Sequence, residues 1–69
     1  MFAIRNKKSG AWVCGTDYRY FPHHQITSFN SAFTYDSEKS AEHAFFTRGC
    51  SKRLYAVVEV TLTLKTQQN

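Results

Sequence analysis

The sequence has 69 residues, which is the size of one domain with a small core. Nine basic residues against five acidic ones give a formal charge of +4, an excess that serves solubility or favours acidic partners. No apolar run approaches the ~18 residues of a membrane span, so we expect no membrane contact.

Two strands and a turn are predicted at the start of the chain. Residues 2–6 alternate as a strand does, and after a polar turn with Lys7, Lys8 and Gly10 residues 11–15 form a second predicted strand. This pattern predicts a β-hairpin with both lysines at its tip. There the lysines either keep the protein soluble or steer an acidic partner.

Residues 16–31 break this periodicity, and we interpret them as a long ordered loop. Pro22 disfavours a helix and removes a backbone donor, so any strand here stops or lies at a sheet edge. The rings of this loop either form a lid over the core, bind a protein, or provide a platform on which nucleic-acid bases stack. Its aromatic and basic residues are Tyr18, Arg19, Tyr20, Phe21, His23 and His24.

A short strand at 32–35 is predicted to lead into a helix. Asp36 or Ser37 offers an N-cap oxygen, Glu38 places negative charge in the first turn, and Gly49 ends the helix. The amphipathic spacing i, i+3, i+4, i+7 is held by Ala41, Ala44, Phe45 and Arg48.

The C-terminal segment 54–64 has the clearest strand pattern of the chain, because all of its even positions are apolar. We expect it to be a long central or near-central strand whose even positions face the helix, with Tyr55 and Val57 on the open side. The polar residues 65–69 are expected to fray.

These elements predict a single small α+β domain over residues 1–69. The order β-β-β-α-β implies a mostly antiparallel sheet packed against one helix. The uncovered sheet face needs a lid or a partner, and a homodimer through the sheet face or edge is one solution.

The sequence does not predict catalysis or metal binding. Cys14, Cys50, His23 and His24 are zinc-ligand types without the spacing of a zinc site, so we expect no metal and no cofactor. The histidines, including His43, suit acid–base chemistry. No phosphate-binding glycine loop, nucleophile elbow or paired-carboxylate motif accompanies them, so we expect no enzyme.

The two cysteines and the first residues indicate a reducing compartment. No C-x-x-C motif occurs, and residues 1–5 turn polar before any long apolar stretch, so no secretory signal is predicted. We therefore expect a cytoplasmic protein.

Three segments, 2–13, 33–42 and 58–62, resemble small uncharacterised proteins of phages and prophages. They hold the opening hairpin with a Lys-Lys-Ser-Gly turn, the short strand before an acidic-capped helix, and a final Val-Glu-Val strand. The resemblance implies a viral protein of the host bacterial cytoplasm. It would act without catalysis by blocking a host enzyme, regulator or defence complex, as anti-CRISPR proteins do.

The leading hypothesis is thus a phage-type binding protein that inhibits or redirects a host protein or nucleoprotein complex. The predicted partner-binding residues are Tyr18, Arg19, Tyr20, Phe21, His23 and His24, with Lys7, Lys8, Lys52 and Arg53 steering an acidic target. One alternative is a small nucleic-acid-binding module that uses the same residues. A second is a dimeric structural or accessory protein.

Overall fold

The computed structural model describes residues 1–61, which form an antiparallel sheet of five strands and one helix. This confirms the predicted α+β architecture, with one more strand than expected. The elements are β1 (Phe2–Asn6), β2 (Trp12–Asp17), β3 (His24–Ser28), β4 (Thr34–Tyr35), α1 (Glu38–Thr47) and β5 (Tyr55–Glu59). The predicted fraying at 65–69 and the end of the predicted long strand lie outside the described residues.

The additional strand is β3, which lies inside the segment 16–31 that we interpreted as a loop. It pairs with β2 from Trp12 to Asp17, with a register irregularity between Val13 and Gly15. Because β3 is an edge strand with Ile26 52% exposed, it lacks the alternation of a half-buried strand. The true loop between β2 and β3 covers only residues 18–23.

The central strand of the sheet is β1, and not the C-terminal strand. Strand β1 pairs with β5 along its whole length, with β2 near Arg5 and with β4 near Phe2. Within residues 1–61, β5 pairs with β1 alone and is an edge strand. The prediction of a central C-terminal strand was therefore wrong.

The helix covers the face of the sheet that carries Ile4, Val13 and Val57. Ile4 is paired with Val57, so these two side chains share one face of the sheet. Trp12 is paired with Arg5 on the opposite face, so the next residue, Val13, lies on the same face as Ile4. Ile4 and Val13 are each 1% exposed. The odd positions of β5 thus face the helix, the reverse of our expectation, because both faces of this strand are apolar and alternation alone could not choose between them.

The ends of α1 follow from local sequence as predicted. Ser37 is the N-cap, and its Oγ accepts a hydrogen bond of 3.1 Å from the Ser40 amide. At the other end Gly49 adopts a positive φ of 71°, and the Cys50 amide donates to the Phe45 carbonyl at 3.0 Å. The inner face of the helix is held close to the sheet by Ala41, which is fully buried.

A closed ring of hydrogen bonds joins the end of the helix to the β2–β3 pair. The Arg48 Nη1 donates to Thr16 Oγ1 at 2.8 Å, and this hydroxyl donates to Gln25 Oε1 at 2.7 Å. The Gln25 Nε2 returns to the Arg48 carbonyl at 2.7 Å. All three contacts are partly buried, so water competes with them less than at the surface.

Replacing Thr16 with valine should test this ring. Thr16→Val keeps the side-chain volume but leaves Arg48 and Gln25 each without one partner, so the free energy of unfolding should fall by about 1–2 kcal/mol. Urea unfolding followed by circular dichroism measures the loss. The control is Thr27→Val on exposed β3, which should change stability by less than about 0.5 kcal/mol; equal losses in both variants would show that the ring is not specifically stabilising.

Candidate binding site

The loop of residues 18–23 begins with an ion pair that fixes its direction. The Asp17 carboxylate accepts a hydrogen bond from the Arg19 amide at 3.0 Å and from its Nε at 2.9 Å, while Nη2 lies 2.8 Å from Oδ2. The side-chain bond and the backbone bond from Arg19 both lower the pKa of Asp17. This turn bends the chain away from β2.

This segment carries five aromatic side chains, which form two sets of ring contacts on the surface. We call Tyr18, Tyr20, Phe21, His23 and His24 the aromatic cluster. The rings of Tyr20 and His24 are stacked with centroids 4.2 Å apart, and Tyr18 meets His23 edge-on at 4.9 Å. Phe21 lies edge-on to His23 at 6.0 Å. The rings therefore order each other without a core beneath them.

The aromatic cluster is exposed, and this rules out the lid interpretation for its three largest rings. Phe21 is 93% exposed, Tyr18 57% and Tyr20 48%. Large apolar rings held in contact with solvent are typical of interaction sites. Of the three uses that the sequence left open, only the two binding surfaces agree with this exposure.

His23 anchors the aromatic cluster to the rest of the fold. Its Nδ1 lies 2.8 Å from the Tyr20 carbonyl, so we assign the proton to Nδ1, which donates. On its other side the ring packs on Gly49, where an added Cβ would come within 3.0 Å of His23 Cδ2. The end of the helix and the position of the loop are thus coupled.

The predicted basic residues lie in two neighbouring turns, which we call the basic turns. Lys7 and Lys8 occupy the β1–β2 turn, and Lys52 and Arg53 the turn before β5. The Lys7 amide donates to the Leu54 carbonyl at 2.7 Å, which holds the two turns together. All four side chains are exposed.

A depression of about 420 Å³ connects the aromatic cluster with the second basic turn. Pro22, His23 and His24 line one side, and Leu54 and Tyr55 belong to the other. Of the predicted site residues, His23 and His24 line this depression, opposite the end of the turn that carries Lys52 and Arg53. The sequence did not identify Leu54, which is 47% exposed and was assigned to the helix-facing side of a strand.

Charge is segregated along the sheet. The basic turns adjoin the end of β1 near Asn6, which pairs with Tyr55. Acidic residues gather at the other end, since Glu59 and Tyr35 both pair with Phe2, and Asp36 and Glu38 follow directly after β4. The candidate site therefore lies at the positive end of the molecule.

Searches against protein-family models, curated proteins and solved structures found no match. Within residues 1–61, no group of three or more histidine, cysteine or acidic residues is placed to hold a metal ion. The same part of the chain holds no helix that is long and apolar enough to cross a membrane. The assignment of this surface therefore depends on its own geometry.

The ion pair at the start of the loop predicts a coupled titration. Arg19→Ala should raise the pKa of Asp17 toward its ordinary value of 3.8, because both hydrogen-bond contributions that lower it involve Arg19 and the side-chain one is lost. Carboxyl ¹³C chemical shifts measured against pH give the pKa. Since the folded pKa is lowered, the contribution to stability is present at neutral pH and disappears as the pH falls through it. An unchanged Asp17 titration in the variant would contradict the pairing, and Arg53→Ala is the matched control.

Cys50 provides a second test of the geometry. Burial raises the pKa of its thiol to about 11, against a smaller lowering by Arg48. Because the thiolate is the reactive form, Cys50 in a Cys14→Ser background should react with iodoacetamide at pH 8 roughly a hundredfold more slowly than in the urea-unfolded chain. Equal rates in the folded and unfolded states would show that the Cys50 thiol is accessible to solvent and that burial does not raise its pKa.

Proposed function

We propose that this chain is a non-enzymatic binding protein that occupies an acidic surface of a larger protein complex. The aromatic cluster would provide the anchor and the basic turns would steer the approach. The observation that carries the proposal is Phe21, which is 93% exposed while its neighbours His23 and Tyr18 hold one another in edge-on contact.

An exposed ring on an ordered loop suits high-affinity binding. Burying a phenylalanine ring removes a large apolar area from water, and a loop whose backbone is already held in place loses little conformational entropy on binding. The backbone near Phe21 is fixed on both sides, by the Asp17–Arg19 pair and by the His23 contact with the Tyr20 carbonyl. Lys52 and Arg53 directly precede Leu54, which lines the depression together with His23, and exposed charges at a rim act mainly on the association rate.

The resemblance to phage and prophage proteins supplies the kind of partner. We propose that the partner is a host bacterial complex, such as a defence or nucleic-acid-processing machine, whose acidic surface binds other cationic molecules. Covering that surface would inhibit or redirect the complex without chemistry. This action would take place in the host cytoplasm.

A nucleic-acid-binding module is the second candidate, since exposed rings beside cations also suit single strands. Two contacts make nucleic-acid binding a weaker proposal than protein binding. Tyr20 and His24 already stack on each other at 4.2 Å, which occupies one face of each ring, and Arg19 is engaged by Asp17. A dimeric accessory protein is a third candidate, which a measured molecular mass distinguishes.

Phe21→Ala tests the anchor. The tagged protein is used to capture partners from a nuclease-treated bacterial lysate, and a captured protein identified by mass spectrometry is purified for titration. The variant should weaken binding by tenfold or more, as loss of a hot-spot ring does (about 1.4 kcal/mol per tenfold). Phe29→Ala is the matched control, because Phe29 is 69% exposed but lies outside the aromatic cluster.

Reversing the basic turn separates steering from anchoring. Lys52→Glu with Arg53→Glu should slow association at low salt and change the dissociation rate little.

Equal losses for Phe21→Ala and Phe29→Ala would contradict the proposed anchor. Recovery of nucleic acid alone, with affinity falling linearly on a log–log plot against salt, would favour the second candidate.

A further inference from the structure

Strand β5 presents an open edge on the side away from β1. The Met1 and Val60 backbones exchange hydrogen bonds, and the Lys7 amide donates to the Leu54 carbonyl. The even residues of this segment therefore direct their amide and carbonyl groups toward β1. The amide and carbonyl groups of Val57 and Glu59 therefore point outward. Within residues 1–61 they have no backbone partner.

A groove runs beside this edge, under one side of the helix. It has a volume of about 840 Å³. Helix residues at 38, 42, 45 and 46 form one wall, and the side chains of Tyr55 and Val57, which share the helix-facing side of the sheet, belong to the other. Phe46 is 82% exposed on this wall, so the groove presents apolar surface to solvent.

The helix and the strand have matching lengths. Ten helical residues span about 15 Å, and the five residues of β5 span about 16 Å. An added strand would lie about 4.8 Å from β5 and would place every second side chain in the groove. This arrangement of open edge, parallel groove and helix is the one used for peptide recognition by strand addition.

The charges at the two ends of the groove differ in sign. Glu38 and Glu42 line the groove at the start of the helix, and Glu59 lies at the same end, because it and β4 both pair with Phe2. Lys52 lines the other end. A peptide that begins with a basic residue and ends with an acidic one fits this order when it runs antiparallel to β5.

We propose that an extended segment of another protein adds to the edge of β5 as an antiparallel strand and fills this groove with apolar side chains. Its pattern is basic, polar, apolar, polar, apolar, polar, acidic. In this register the first residue lies opposite Glu59, the third opposite Val57 and the fifth opposite Tyr55, and the seventh reaches the turn that carries Lys52 and Arg53. The site shares Lys52 with the basic turns but contains no residue of the aromatic cluster, so it is a second binding surface beyond the proposed function.

The probe is an acetylated and amidated heptapeptide with lysine first, valine third and fifth, glutamate last and threonine at the remaining positions. Fluorescence polarisation of a labelled form measures its affinity for the intact protein. The peptide of reversed sequence should bind at least about tenfold more weakly, because its charges then oppose those of the groove. Equal binding of both peptides would overturn the proposed direction and charge recognition.

Backbone methylation of the peptide tests the strand pairing without altering the protein. In the proposed register the amide of the third residue donates to the Val57 carbonyl, and the amide of the fourth points away. N-methylation at position three should therefore reduce affinity by about tenfold or more, and at position four by much less. Equal effects at both positions would overturn strand addition.

Two protein variants complete the test. Glu42→Lys should weaken binding of the lysine-first peptide, while Phe21→Ala in the aromatic cluster should leave it unchanged, which separates this proposal from the proposed function.

Light scattering of the free protein is the remaining check. A dimer that Val57→Pro dissociates, together with loss of peptide binding as protein concentration rises, would show that a second copy occupies the edge and would overturn the proposal.

Discussion

The hydrogen-bonded ring of Arg48, Thr16 and Gln25 is the interaction on which the rest of the structure depends. Among residues 1–61, Ile4 and Val13 are the only large side chains that are almost completely buried, so apolar burial alone holds the β2–β3 pair weakly against the helix. The ring supplies directional contacts where apolar burial is scarce. It fixes the end of α1 beside β3 and so sets where the aromatic cluster can lie.

Much of this fold could be predicted from short-range patterns. The strand at 2–6, the Ser37 cap and the stop at Gly49 each depend on neighbouring residues and were confirmed. Strand β3 was missed because its residues are exposed or only partly buried, so its sequence does not alternate between apolar and polar residues. The helix-facing side of β5 was assigned wrongly because Tyr55 and Val57 are as apolar as Ala56 and Val58, and only the register with Ile4 distinguishes the two faces.

The candidate site was predictable in composition and not in arrangement. Rings interleaved with an arginine at 18–24 indicated a candidate binding surface, and the basic pairs Lys7–Lys8 and Lys52–Arg53 indicated exposed charge in turns. Nothing in the sequence could place the turn at 51–54 beside the loop at 18–23, since that proximity arises from the path of the helix between them. The short-range pair of Asp17 and Arg19 is a signal that was available, because an aspartate two residues before an arginine can hold its own turn.

Gly49 has a consequence for how this protein tolerates mutation. Its left-handed backbone conformation and the closeness of His23 both strain any side chain placed there, so a substitution should shift His23 and, with it, the aromatic loop. In a genetic screen, such an allele would have the phenotype of a damaged contact surface although Gly49 lies outside the aromatic cluster, just after the helix. Substitution of Phe21 carries no such structural penalty, because its ring is 93% exposed. The fold thus constrains Gly49 more strongly than the ring that we propose to bind.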